Sequence, residues 1–308
     1  MKAMNTHTTT KRNTEEKIVL LGSCFANEIG KKLQEEENNV CINPFGTLFN
    51  PVSIATSIER LSSGKPFTKE EVIESLYGYT QSTDNKGNTT RTPVIKYGSF
   101  YHYTLFSKES PEKFLEYANK KLLEDSAFFK AANTVIITLG TAWVFRYIAN
   151  GMIVSNCHKK PAKEFSREFL DLQKCVEVVK KMLFTSSGAL KYPDKKFLFT
   201  VSPVRHLADG AHGNQLSKAT LLLAIDELQR YCERAGENSI KYPASDKKGK
   251  TELINTNDNH KIISYFPAYE IMIDELRDYN YYAEDLIHPN QEAINYIYKR
   301  FKEWAKMK

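Results

Sequence analysis

Five short apolar runs, each cut off by a glycine, serine, asparagine or proline turn or by the end of a strand-length window, constrain this chain more than any other feature. They are Lys17 to Leu21 before Gly22-Ser23, Asn39 to Ile42 before Asn43-Pro44-Phe45-Gly46, Thr134 to Leu139 before Gly140, Phe197 to Val201 before Ser202-Pro203, and Lys261 to Tyr265. Runs of this length, rich in Val and Ile, fit strands buried on both faces. Between them lie stretches of helical composition: Asn27 to Glu37, Pro51 to Leu61, Pro111 to about Glu124, Ser166 to Phe184, Leu216 to Arg234 and Pro289 to Trp304. Phe169, Leu172, Val176, Val179 and Leu183 fall on one stripe of the fourth, Ser217 stands near the cap of the fifth, and Ala293, Ile297 and Phe301 line the last. Strands alternating with helices imply an α/β fold, with a parallel sheet of about five strands covered on both faces, and that number favours an open, doubly wound sheet over a barrel. From Ser62 to about Leu105, Gly64, Pro66, Gly78, Asp84, Gly87 and Pro93 interrupt any period, so this stretch is expected to be a lid-like surface insertion. The expected organisation is a flexible tail over residues 1–16 and one domain over 17–308 carrying that insertion at 62–105.

The bulk properties narrow the function classes. Hydrophobic residues make up 41% and charged residues 26% of the 308, ordinary for a soluble globular chain. The net charge of +6 comes from lysines scattered among glutamates, not gathered into a block with interleaved aromatics, so nucleic acid is not the expected partner. No apolar run reaches the roughly 20 residues of a membrane span, and the polar first 16 residues lack the apolar middle of a secretory leader, which makes a soluble, cytoplasmic protein the expectation. The five cysteines, Cys24, Cys41, Cys157, Cys175 and Cys232, show no paired short spacing and are expected to be reduced. Neither a cofactor nor a metal is expected. Only Gly22 and Gly30 lie near the first turn, short of a dinucleotide fingerprint. His206, Asp209 and His212, with Gly210 and Gly213 beside them, read as a flexible loop before they read as ligands.

In open sheets, ligands gather at the carboxyl ends of the strands, where this chain carries Gly22-Ser23, Asn43 to Gly46, Gly140-Thr141, Ser202 to His206 and the loop leading to Asp285. A serine hydroxyl needs a base, and the base an orienting group; Asp285-Leu286-Ile287-His288, in a loop just before Pro289, supplies both. Simpler readings exist for each: Ser23 as a helix cap, Asp285 as a cap before Pro289, His288 as a surface residue. Cys24 is expected to pack inward as a small apolar residue.

Gly22-Ser23-Cys24-Phe25-Ala26 spells the motif that names the GSCFA family, and Asn43 to Gly46, Asn156-Cys157-His158-Lys159, Ser202-Pro203-Val204 and the late Asp-x-x-His also resemble it, over most of the chain. That family resembles the SGNH, or GDSL-like, hydrolases. The resemblance implies a flavodoxin-like sheet, Ser23 as nucleophile, His288 as base and Asp285 as its orienting carboxylate. It also implies an oxyanion hole from the amides of Ser23 and Gly46. Where those enzymes carry an asparagine after strand three, this sequence reads Gly140-Thr141-Ala142-Trp143. The third donor is then the Thr141 hydroxyl or Asn156, or the hole has two donors. Asn43, Asn156, His158 and His206 are expected to bind substrate, with a structural loop role for His158 equally open. Trp143, Phe145, Tyr147, Tyr279, Tyr281 and Tyr282 could stack on sugar rings or serve as core. The expected activity is hydrolysis of an O-acyl ester, on a small molecule or a glycan, through an acyl-serine. Transfer to a sugar hydroxyl and non-catalytic glycan or partner binding are the alternatives.

Overall fold

The computed structural model describes residues 16–85, 88–237 and 262–305. Strands β1 (Lys17–Gly22), β2 (Asn39–Ile42), β5 (Thr134–Leu139), β9 (Lys196–Val201) and β10 (Ile263–Tyr265) form one sheet in the order β2-β1-β5-β9-β10, and every pairing is parallel. Counting these five strands alone, the order is 2-1-3-4-5, which is the flavodoxin-like winding. The first four strands lie within a residue of the apolar runs. The Lys261 end of the fifth falls outside the described residues, as does the expected tail apart from Glu16.

Alternate residues of each strand serve opposite layers. Val19, Leu21, Val135, Ile137, Phe197 and Phe199 face the cluster built with α2 (Pro51–Ser63), α3 (Pro111–Ala131), α4 (Leu172–Leu183) and α5 (Gly210–Glu237). Ile18, Leu20, Ile136 and Leu198 face α1 (Cys24–Glu35) and α7 (Gln291–Ala305), whose Ala293, Ile297 and Phe301 are buried as their spacing requires. A short turn, α6 (Ala268–Glu270), follows β10 on the same side. Asn50 caps α2 by accepting the Ser53 N–H at 2.9 Å, with Pro51 in the first turn.

The structure departs from the sequence reading in several places; α3 runs on to Ala131, and α7 begins only at Gln291, Pro289 being bridged to Tyr282 before it. The Ser62 to Leu105 insertion contains a long antiparallel hairpin, β3 (Ile73–Thr83) and β4 (Thr89–Gly98), with a bulge between Leu76 and Gly78. Ser166 to Phe184 is not one helix: Phe165–Phe169 is strand β8, pairing with β6 (Trp143–Tyr147), which also pairs with β7 (Ile153–Val154). Asp171 then caps α4 through the Lys174 N–H at 2.9 Å, and the buried face of α4 is Cys175, Val179, Met182 and Leu183, while Leu172 is exposed. Finally, α5 begins at Gly210, so Ser217 sits inside the helix, where its hydroxyl accepts the Ala142 N–H at 2.7 Å.

Beneath the hairpin, His102 and His158 are both fully enclosed. His102 Nδ1 meets the Ser99 hydroxyl at 2.7 Å, and His158 Nε2 meets the His102 carbonyl oxygen at 2.9 Å. Burial, then the nearby His158 and Arg60, pushes the His102 imidazole from 6.5 down to about 3. An unfolded chain protonates this histidine near 6.5 and the native state does not, so the unfolded state binds more protons between the two values. Stability should therefore fall as pH drops through that window, at up to about 1.4 kcal/mol per pH unit. Denaturant unfolding at pH 7 and pH 5 should show this loss, with a flatter dependence in a His102→Gln variant; equal slopes in the two proteins would contradict it.

Candidate active site

The winding direction reverses between β1 and β5, and that is where Ser23 stands. Gly22, paired with Thr138, ends β1 at φ +140°, and Ser23 follows as the residue preceding α1. Ser23 occupies the cap position but makes no side-chain cap bond; its hydroxyl, 1% exposed, donates to the Ser202 hydroxyl at 2.9 Å. Ser23 caps α1 through its backbone alone, its carbonyl accepting the Ala26 N–H at 2.9 Å, while its hydroxyl is directed to Ser202. Ser202 lies at the end of β9, and its Oγ also accepts the Val204 N–H at 3.3 Å.

The Asp285 to His288 loop is stitched by one carboxylate. Asp285 Oδ1 accepts the N–H groups of Ile287 at 2.9 Å and His288 at 3.0 Å, and Oδ2 meets His288 Nδ1 at 2.6 Å. Those amide and imidazole donors hold the Asp285 carboxyl well below its ordinary value, at about 2. They also hold Leu286 at φ +55°, in the left-handed region that a leucine rarely enters. With Nδ1 taken by the carboxylate, Nε2 is the nitrogen left for chemistry. The loop is docked on the residues after β9: the Arg205 N–H donates to the Ile287 carbonyl at 3.0 Å, and the Arg205 guanidinium lies 3.9 Å over the Tyr282 ring. Among the described residues no hydrogen bond joins His288 to Ser23, whose proton is directed at Ser202.

His206 belongs to the same cluster. It lies edge-on to Phe49 at 6.1 Å. Burial first, then the charges of Lys218, His288 and Arg167, push it from 6.5 to about 4. Its Nε2 is buried without a hydrogen-bond partner. Asp209 is committed elsewhere, paired with Arg167, which itself covers the Trp143 ring at 4.4 Å. Among the described residues no three His, Cys, Asp or Glu side chains converge as a metal would need.

The three expected oxyanion donors all have partners within the chain. The Ser23 N–H reaches the Thr138 carbonyl at 3.2 Å, the Gly46 N–H the Asn43 carbonyl at 2.7 Å, and the Thr141 hydroxyl shares a 3.1 Å bond with Ser217 Oγ. Asn43 supports the serine turn from below. Its Oδ1 accepts the Gly22 N–H at 2.8 Å while its Nδ2 donates to Asn27 at 2.6 Å. Asn156 accepts the His158 N–H at 2.8 Å, and His158 belongs to the buried His102 group, so the structure does not bring these two into contact with Ser23 or His288. The Cys24 thiol is raised by burial against the pull of the Phe25 and Cys24 amides, which leaves it a poor nucleophile.

Sequence reasoning missed Lys218. Its Nζ, fully buried, donates to the carbonyls of Gly140 and Ser202, each at 2.8 Å, tying together the ends of β5 and β9 directly under the serine pair. The clue was available: Lys218 shares the apolar stripe of α5 with Leu221, Ile225 and Leu228.

Fold and site together define a doubly wound α/β protein whose polar side chains converge at the switch point of its sheet. The GSCFA family model matches residues 17–301, and the chain belongs to the GSCFA family. No curated protein and no solved structure matches it. No helix among the described residues is long and apolar enough to cross a membrane.

Proposed function

We propose that this protein is a serine-dependent hydrolase of O-acyl esters, with Ser23 as nucleophile, His288 as general base and Asp285 as the carboxylate that orients it. The observation that carries the reading is the 2.6 Å Asp285 to His288 pair on a loop hydrogen-bonded to the β9 end, the strand end that also holds the partner of the Ser23 hydroxyl. In the proposed reaction the Ser23 hydroxyl turns from Ser202, passes its proton to His288 Nε2, and Oγ bonds to the acyl carbon. The tetrahedral intermediate then collapses, the C–O bond to the alcohol breaks, and the alcohol leaves with the proton from His288. Water, deprotonated by the same imidazole, cleaves the acyl-serine and releases the acid. A carbohydrate alcohol is supported by the aromatic and cationic surface around the cluster: Tyr279, 62% exposed beneath Arg205, and Phe145, 42% exposed beside Arg167.

Intact-mass detection of labelling by a fluorophosphonate probe tests this. The parent should gain one adduct and the Ser23→Ala variant none. A folded parent that takes no adduct would overturn the proposal and favour a ligand-binding protein, a role compatible with oxyanion donors that all have partners inside the chain. A sugar acceptor added to the turnover assay separates transfer from hydrolysis by its products.

A further inference from the structure

Lys218 is the strongest unexplained feature of the molecule. Lysines are almost never fully buried unless paired, yet Nζ here meets two backbone carbonyls, and among the described residues it forms no ion pair with a carboxylate. The groups facing it are the Cys24 thiol from the start of α1, His206 from the loop after β9, and the Tyr269 ring of α6 at 5.7 Å. A methionine would fill the same volume without desolvating an amine but would leave the Gly140 and Ser202 carbonyls without this donor, and a buried, unpaired amine of this kind at a cluster of polar side chains is a candidate functional group.

Resting on the reading of Ser23 as nucleophile, we propose that Lys218 is a positioning residue that supports negative charge at the Ser23 site, its amine fixing the Gly140 and Ser202 strand ends and its charge acting through Ser202. The geometry explains why one is needed here: all three expected oxyanion donors have partners inside the chain, and a cation in a dry floor acts over several ångströms because little water screens it. Burial lowers the Lys218 amine from 10.5 to about 7, and only the nearby Cys24 works against that shift. Its charge therefore changes in the neutral range, and the fraction carrying a proton falls as pH rises through that range. Reactivity of Ser23 that depends on the ammonium should fall in the same direction.

The test follows fluorophosphonate labelling rates of the full-length parent, Lys218→Met and Lys218→Arg from pH 5 to pH 10. The parent should show an alkaline decline centred near neutrality. Lys218→Met should label at least about ten-fold more slowly at pH 6.5 and lack that decline. Lys218→Arg, whose guanidinium does not titrate here, should keep more of the rate and also lack the decline. In denaturant unfolding the parent should gain stability from pH 7 towards pH 10, because the unfolded lysine binds a proton over that range and the native one does not, and Lys218→Met should lack that gain. A parental rate and pH profile in both variants would overturn the role of Lys218 while leaving Ser23 as nucleophile. A parent that does not label overturns both readings together. Should neither variant fold, NMR of carbon-labelled lysine in the parent decides: a Lys218 titration that coincides with the decline of the parental labelling rate upholds the inference, and a labelling rate that does not follow it ends it.

Discussion

Gly22→Ala should leave little or no folded protein, a loss above about 4 kcal/mol. At φ +140° the backbone of Gly22 is in a region that side chains rarely adopt. An added Cβ would also lie 2.1 Å from the Thr138 carbonyl oxygen and 2.8 Å from its carbon. These are backbone atoms of the paired strand, so nothing flexible can give way. The only relief is to separate β1 from β5, which would break the ladder that carries Ser23 and strip Asn43 of the Gly22 N–H it accepts. Gly78 supplies the control. It has φ +144° but no atom within 4 Å of where a Cβ would be. Gly78→Ala should therefore express only the conformational penalty, about 1 kcal/mol. Thermal unfolding and soluble yield of the two variants measure the difference. If Gly22→Ala unfolds no earlier than Gly78→Ala, close approach at the switch point is not what requires the glycine.

The same crowding explains why the central sheet was legible in the sequence. β1, β5 and β9 are buried on both faces beyond their first residues, so apart from Thr138 and Thr200 those positions are apolar, and each run stops where the backbone leaves the sheet, at Gly22, Gly140 and Ser202. The hairpin of β3 and β4 has no such pressure. Its outer half is exposed on both faces, so Thr, Ser and Gln carry no period, and only cross-strand pairing defines it. Phe165–Phe169 misled in the opposite way. Phe169 happens to stand at helical spacing from Leu172, whereas its structure is set by Trp143 opposite it, a partner more than twenty positions away in sequence. Within the site, Ser23, Asp285 and His288 were readable because each is defined locally, by a turn or by a three-residue spacing. Ser202 as the partner of Ser23, and Lys218 beneath them, were not. Their roles come from two strand ends meeting in space, and a lysine on an apolar stripe ordinarily extends its charge to solvent instead of burying it.

His288→Ala should lower the labelling rate of Ser23 by a factor of roughly 10² to 10⁴, the usual contribution of a positioned general base. Asp285→Asn should come close to that loss by a different route. Asparagine can still accept the Ile287 and His288 amides through Oδ1, so the loop and its left-handed Leu286 should persist. Its Nδ2, however, would donate toward His288 Nδ1, moving the imidazole proton onto Nε2, the nitrogen that must accept from Ser23. Asp285→Ala removes the amide bonds as well, so it should lose both reactivity and the order of the loop. The three variants therefore separate chemistry from scaffolding when labelling rate and thermal unfolding are read side by side. Asp285→Asn should unfold like the parent while reacting as slowly as His288→Ala. Parental reactivity in His288→Ala would remove the imidazole from the mechanism, and the Ser23 proton would then have to leave through Ser202, the hydroxyl to which it donates in the resting structure.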